Sequence, residues 1–219
     1  MSTTSRTLKQ KPHLPREAAG KRMLLDAAIK LAAQQGSTRS MGIRELAREA
    51  GLNHNTFYRH FDSVDTMIEG LLQQFRQELR QGLREARAAV QSDQKPSRAV
   101  VGWLFDFAEK HSDIFAVAFR EQFAPPGSGR DAVRTMLDQI LDDMVNDVSK
   151  LPGFAALDKL RLVLALKLLI DHDFRLCMQY LESPMARDSL LVEAETLYET
   201  LLAGALVLQQ VSKQSASNQ

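Results

Sequence analysis

Apolar residues in this chain recur at helical spacing along nearly its whole length, and no stretch shows the two-residue alternation of a half-buried strand. That pattern excludes sandwiches, barrels and layered sheets together. Leu24, Ala27, Ala28 and Leu31 fall at i, i+3, i+4 and i+7, the stripe of an amphipathic helix over 17 to 35 that Gly36 can stop. Ile43, Leu46, Ala47 and Ala50 repeat the spacing in a shorter helix ending at Gly51. Val64, Ile68, Leu71, Leu72, Phe75 and Leu79 mark a long fourth helix that starts after only two intervening residues beyond Phe61. Further helices are expected over 97 to 111, 113 to 123, 130 to 150, 156 to 181 and 187 to 211, separated by Pro125-Pro126-Gly127, Pro152-Gly153 and Ser183-Pro184. The expected fold is all-α.

Between the second and fourth helices stands GLNHNTFYRHF, residues 51 to 61. Gly51 suits the left-handed turn that ends a helix, and Asn53 is a residue type that caps the next one. A third helix over 53 to 60 turns Phe57 and Phe61 inward, four residues apart, and leaves Asn55, Thr56 and Arg59 outward. Three short helices with a tight turn between the last two form a helix-turn-helix unit.

The charge distribution agrees. Residues 1 to 61 carry 11 Lys plus Arg against 4 Asp plus Glu, a net +7, whereas the remainder of the chain carries −6. A basic N-terminal part can meet a polyanion while the acidic remainder avoids it. Residues 1 to 15 read as a flexible basic arm with Arg6, Lys9 and Lys11. The single cysteine, Cys177, excludes an internal disulfide and a cysteine metal site and reads as a buried thiol. With no apolar stretch long enough to span a bilayer and no signal-peptide pattern, the expected location is the cytoplasm, without membrane contact.

GIRELAREAGLNHNTFYRHF resembles the DNA-binding segment of the TetR family of bacterial transcription regulators, over about residues 20 to 75. The resemblance implies a homodimer with a helix-turn-helix domain at 16–63 and a helical effector-binding and dimerisation domain at 64–219, and no cofactor. Many members carry a Lys where this chain has Val64, so one phosphate contact is missing. The REAG, FYRHF and VD sequences are similar to the branch that represses unsaturated fatty-acid synthesis and acyl-CoA desaturase genes. An acyl-CoA effector follows from that similarity; a repressor answering another apolar ligand, with efflux or catabolic genes as targets, is the alternative.

On this reading the third helix enters the major groove. Asn55 pairs with adenine, Thr56 donates or sets its methyl against thymine, and His54 approaches a base or phosphate. Tyr58 and His60 hold phosphates, and Arg44, Asn53, Arg59, Lys21 and Arg22 complete the expected DNA-binding set. Two such helices from a dimer imply a near-palindromic double-stranded operator.

For the effector, Trp103, Phe107, Phe115, Phe119, Phe123, Phe174 and Met178 are the expected apolar lining. Arg120 and Arg134, with Arg130 nearby, are the cations for an anionic headgroup. The same aromatic run also fits an ordinary packed core. The helices at 156 to 181 and 187 to 211 carry Leu on several faces, which either a buried position or a dimer seam explains. An enzyme is the competing class, but Asp171-His172-Asp173 points three ways on a helix, and there is no HExxH, Glu-x-x-His or Gly-rich phosphate loop, so neither a catalytic nor a metal site is expected.

Overall fold

A computed structural model of the chain describes residues 16–36, 38, 41–90, 95–151 and 153–217, and the expected arm at 1–15, with Arg6, Lys9 and Lys11, lies outside them. Among the described residues there are helices, turns and bends and no strand. The helices are α1 (Arg16–Gln35), α2 (Ile43–Glu49), α3 (His54–Phe57), α4 (Val64–Ala88), α5 (Pro96–Lys110), α6 (Ser112–Glu121), α7 (Ser128–Val148), α8 (Lys159–Glu182) and α9 (Arg187–Ser217), with one 3₁₀ turn at Pro184–Ala186.

The N-terminal unit forms because three short apolar faces close on one another. Leu24, Ala27, Ala28 and Leu31 of α1 are buried with Leu46 of α2 and Phe57 of α3, as their spacing requires. Gly51, with φ +66, lets the backbone turn sharply after α2, and Leu52 N–H closes that turn on the Ala47 carbonyl at 2.8 Å. α4 then starts with a reciprocal cap: the Ser63 hydroxyl accepts from Thr66 N–H at 3.1 Å, and Ser63 N–H donates to the Thr66 hydroxyl at 3.1 Å. At 25 residues, α4 runs about 37 Å out of the N-terminal unit into the second domain.

The second domain is a helical bundle around α4 and α8. Met67, Ile68, Leu71, Leu72, Phe75, Leu79 and Leu83 of α4 are buried. Phe75 meets Phe107 and Phe115 with ring centroids 5.5 and 6.2 Å away, Phe115 stacks on Phe174 at 5.1 Å, and Phe105 stacks on Tyr180 at 4.9 Å. The aromatic concentration seen in the sequence is therefore mostly packing between helices. Arg80–Asp143 and Arg87–Asp147 ion pairs tie α4 to α7, at 2.9 and 2.8 Å.

The leucines of α8 separate into two faces. Leu162, Leu166 and Leu169 are buried, whereas Leu160, Leu164 and Leu168 form an exposed stripe at four-residue spacing. On α9, Val192, Val207 and Leu208 are also exposed. No helix among the described residues is long and apolar enough to cross a membrane.

Candidate nucleic-acid interface and effector cavity

α3 is shorter than the 53 to 60 expected from the sequence. Four residues, His54–Phe57, are α-helical, and the chain continues as tighter turns in which His60 N–H reaches the Phe57 carbonyl at 2.9 Å. The i−3 bonds draw the last turn in and leave Tyr58 as the C-cap. Asn53 is the N-cap, its side-chain oxygen accepting from Asn55 N–H at 2.9 Å. That oxygen is thus committed to the backbone, which narrows the part Asn53 can take in reading a base.

His54, Asn55, Tyr58 and Arg59 are exposed on the outside of the unit, and Tyr58 keeps 61% of its surface. Thr56, expected to face outward with them, is half-buried, because its methyl lies against α1 near Gly20. His60 is half-buried on the same contact: a Cβ on Gly20 would stand 3.0 Å from its Nε2. Arg44 is exposed on α2. Lys21 stands 5.6 Å over the Phe61 ring, and Arg22 lies 3.9 Å from Asp26 on its own helix. The exposed groups form a polar row on a capped helix end, with Lys21, Arg22 and Arg44 as cations of the same unit.

Behind this unit lies a buried polar joint. The Glu121 carboxylate, at the end of α6, accepts from both the backbone N–H and the hydroxyl of Thr38, at 3.0 and 2.9 Å. Glu121 and Thr38 are both buried, as is Gly129 at the start of α7. A Cβ on Gly129 would meet Glu121 Oε2 at 2.7 Å and the Thr38 hydroxyl at 3.1 Å, so only glycine lets α7 approach this closely. Arg120 donates to the Ala33 carbonyl of α1 at 3.1 Å, and the Ser128 hydroxyl to Asp65 of α4 at 3.1 Å.

A cavity of about 750 Å³ opens between α4, α5, α7, α8 and α9. Its walls are Leu83, Val100, Leu104, Ile140, Met144, Leu166, Ile170, Phe174 and Leu202, with a polar cluster of Arg87, Asp173 and Tyr198. Of the ligand residues expected from the sequence only Phe174 lines it. Trp103 stacks on Phe107 at 5.1 Å and fills the space over Gly82, while Phe107 and Phe115 are core. Phe119 pairs with Phe123 at 5.7 Å, Phe123 is 74% exposed, and Met178 packs at the edge of the core. Arg120 is held at α1, Arg130 donates to the Ala124 carbonyl at 3.0 Å, and Arg134 is exposed on α7 outside the lining. Phe119, Arg120 and Phe123 of the expected set lie on or just after α6, which packs on α1, whereas the cavity takes in the C-terminal end of α4 from Leu83 onward.

Asp173 is 5% exposed, and burial pushes its carboxyl up to about 7 against the pull of a 2.6 Å bond from the Tyr198 hydroxyl. Its other oxygen, Oδ1, and the Arg87 Nη2 are buried without a hydrogen-bond partner in the protein. A ligand can supply both. Asp173 had a signal in the sequence: it falls three, four and seven residues after Ile170, Leu169 and Leu166, a carboxylate on an apolar stripe. His172 turns elsewhere, with Nε2 3.1 Å from Glu193 Oε1 at an angle unsuited to a hydrogen bond, and Asp171 is exposed. The three residues do not converge, and no metal-ligating cluster occurs among the described residues.

The chain thus joins a helix-turn-helix unit, through a long helix, to a bundle that holds an apolar cavity. Residues 24–71 match the family model for bacterial regulatory proteins of the tetR family, so the N-terminal domain is of the TetR type and the fold is that of the TetR structures. An HTH-type transcriptional regulator of Haemophilus influenzae is 27% identical over 129 residues, 59% of this chain and 63% of that protein, so the match spans less than two thirds of the relative. A TetR-like transcriptional regulator from Rhodococcus sp. RHA1 superposes with a TM-score of 0.70 at 19% identity, over 88% of this chain and 100% of that one. FadR from Bacillus subtilis, solved in complex with stearoyl-CoA, superposes with a TM-score of 0.63 at 18% identity, over 84% and 98%.

Proposed function

We propose that this chain is a homodimeric transcriptional repressor that binds a near-palindromic operator through α3 and releases or tightens its hold on DNA when a long-chain acyl-CoA enters the second domain. The observation that carries the DNA-binding part is the exposed polar row of His54, Asn55, Tyr58 and Arg59 on a capped helix end. Asn55 reads a base edge, Tyr58 and Arg59 hold phosphates, and Lys21, Arg22 and Arg44 add attraction that is indifferent to sequence. The dimer is supported by the exposed stripe of Leu160, Leu164 and Leu168 on α8, with Val192, Val207 and Leu208 on α9.

An acyl chain suits the apolar cavity, whose volume lies in the range of small-molecule sites. The stearoyl-CoA complex of the similarly folded Bacillus subtilis protein points to the same effector class. Unsaturated fatty-acid synthesis or desaturase genes are the proposed targets. A ligand acts only through its preference for one dimer geometry, and a coupling of about 1–3 kcal/mol changes DNA affinity about 5- to 150-fold. Titration with saturated and unsaturated acyl-CoAs, followed by fluorescence anisotropy of a labelled operator, tests the reading. A shift in DNA affinity with at least one class is expected, and constant affinity with both removes acyl-CoA as the signal. The polar pair at Asp173 and Arg87 favours one further comparison, an apolar effector with a hydroxyl or amide in place of the thioester, as expected for efflux or catabolic control.

A further inference from the structure

Beside the apolar cavity lies a second recess of about 360 Å³ whose lining is Arg76, Gln77, Arg80, Gln81, Arg84 and Gln139. Every one of these side chains is a hydrogen-bond donor, and no carboxylate belongs to the lining. Arg76, Arg80 and Arg84 follow at four-residue intervals and so stand in a row along one face of α4. Arg84 lines both spaces, which makes the recess and the apolar cavity neighbours across a single side chain.

The three arginines are not equally engaged. Arg80 donates to both oxygens of Asp143, at 2.9 Å each, and to Gln139 at 2.8 Å, so its charge is answered and its position fixed. Arg84 donates only to the neutral Gln81, at 3.0 Å, and neither Arg76 nor Arg84 has an ion pair within 4.0 Å among the described residues. Two uncompensated guanidinium groups therefore flank a compensated one, within a part of the chain whose net charge is −6. Such a row is repulsive in itself, and it loses that cost when an anion sits on it.

Building on the acyl-CoA reading, we propose that the α4 row Arg76–Arg80–Arg84 is the seat of the effector's phosphorylated headgroup, the hydrocarbon entering the neighbouring cavity past Arg84. The forked donors of Arg76 and Arg84 take phosphate oxygens, and the three glutamines of the lining, Gln77, Gln81 and Gln139, supply neutral donors to the remaining ones. This seat replaces the cations expected from the sequence, since Arg120 and Arg130 are spent on backbone carbonyls and Arg134 lies outside the cavity lining. It also puts the headgroup on α4, the helix that leads back to α3.

Isothermal titration of the full chain and of the double variant Arg76→Gln/Arg84→Gln with palmitoyl-CoA, palmitoyl-pantetheine and palmitoyl lysophosphatidate tests the seat. Both substituted residues lack ion-pair partners, so circular dichroism and the melting temperature should be unchanged. The expected result is a loss of at least about tenfold in palmitoyl-CoA affinity in the variant. Palmitoyl-pantetheine, which has the chain but no phosphate, should bind both proteins within about twofold. A parallel loss with lysophosphatidate shows that phosphate itself is read, and an unchanged lysophosphatidate affinity that the CoA nucleotide is the source. Equal palmitoyl-CoA affinity in wild type and variant overturns the seat and leaves the acyl-CoA reading standing, whereas failure of the wild type to bind palmitoyl-CoA overturns that reading first.

Discussion

Gly129→Ala offers a sharp test of how the two domains are joined, because two opposing effects have known sizes. Alanine in place of glycine near the start of α7 gains at most about 1 kcal/mol in helix propensity. Its Cβ, however, arrives 2.7 Å from Glu121 Oε2 and 3.1 Å from Glu121 Cδ, in a site where Glu121 is 3% exposed and has no room to swing away. Overpacking of that kind costs about 1–3 kcal/mol, so the single variant should be destabilised by roughly 0–2 kcal/mol net of the propensity gain. Glu121→Ala removes the acceptor of two bonds and strands the Thr38 amide, a loss of about 2–4 kcal/mol. In that background the carboxylate that the new methyl would strike is gone. Only the Thr38 hydroxyl at 3.1 Å still has to give way, and Gly129→Ala should become neutral or slightly stabilising. The cycle measured by urea denaturation should therefore show a coupling of about 1–3 kcal/mol. Additivity within about 0.5 kcal/mol would mean that α7 does not close on Glu121, and the joint between α1 and the α6–α7 corner would have to be redrawn.

Three further outcomes are expected. Tyr58→Phe should weaken binding to all DNA sequences by a similar factor, whereas Asn55→Ala should change which base is preferred at one position; equal losses on specific and random duplexes for both would remove Asn55 from the reading role. Leu164→Glu with Leu168→Glu puts two charges on the exposed α8 stripe, and sedimentation should give a folded monomer, while an unchanged dimer would place the seam elsewhere. Burial raises the Asp173 carboxyl from 3.8 to about 7, so between those values the folded chain holds a proton that the unfolded chain has released. Stability contributed by that proton is complete below the lower value and declines as pH rises to the upper one, by up to about 1.4 kcal/mol per pH unit. Asp173→Asn should flatten that slope, and denaturation curves with the same pH dependence in both proteins would contradict it.

The fold was largely legible because its helices are amphipathic and punctuated. Leu24 to Leu31, and Ile68 to Leu79, appear as buried stripes where their spacing puts them. The end of α3 was less legible: Tyr58 to His60 have helical neighbours in sequence, but α1 presses on Thr56 and His60 through Gly20, a tertiary contact that local spacing does not encode. The cavity was least legible. Phe107 and Phe115 have the composition of a ligand wall, but α4 arrives against them with Phe75 and turns them into core. The space opens instead where α4, α5, α7, α8 and α9 diverge, at residues whose individual types are ordinary. Asp173 was the readable exception, and the arginine row of α4 is a period of four that gains meaning only once the neighbouring recess is known.

The central claim is that α3 is offered twice, by a symmetric pair of chains, to the major groove of an inverted repeat. Selection of bound duplexes from a random pool at moderate salt, with the mass of the recovered complex determined by sedimentation, tests it most directly. The expected product is an inverted repeat with half-sites about 10 base pairs apart or a multiple of that, carrying chains in pairs. Recovery of duplexes no different from the starting pool, or of unrepeated sites each holding one chain, would contradict the account.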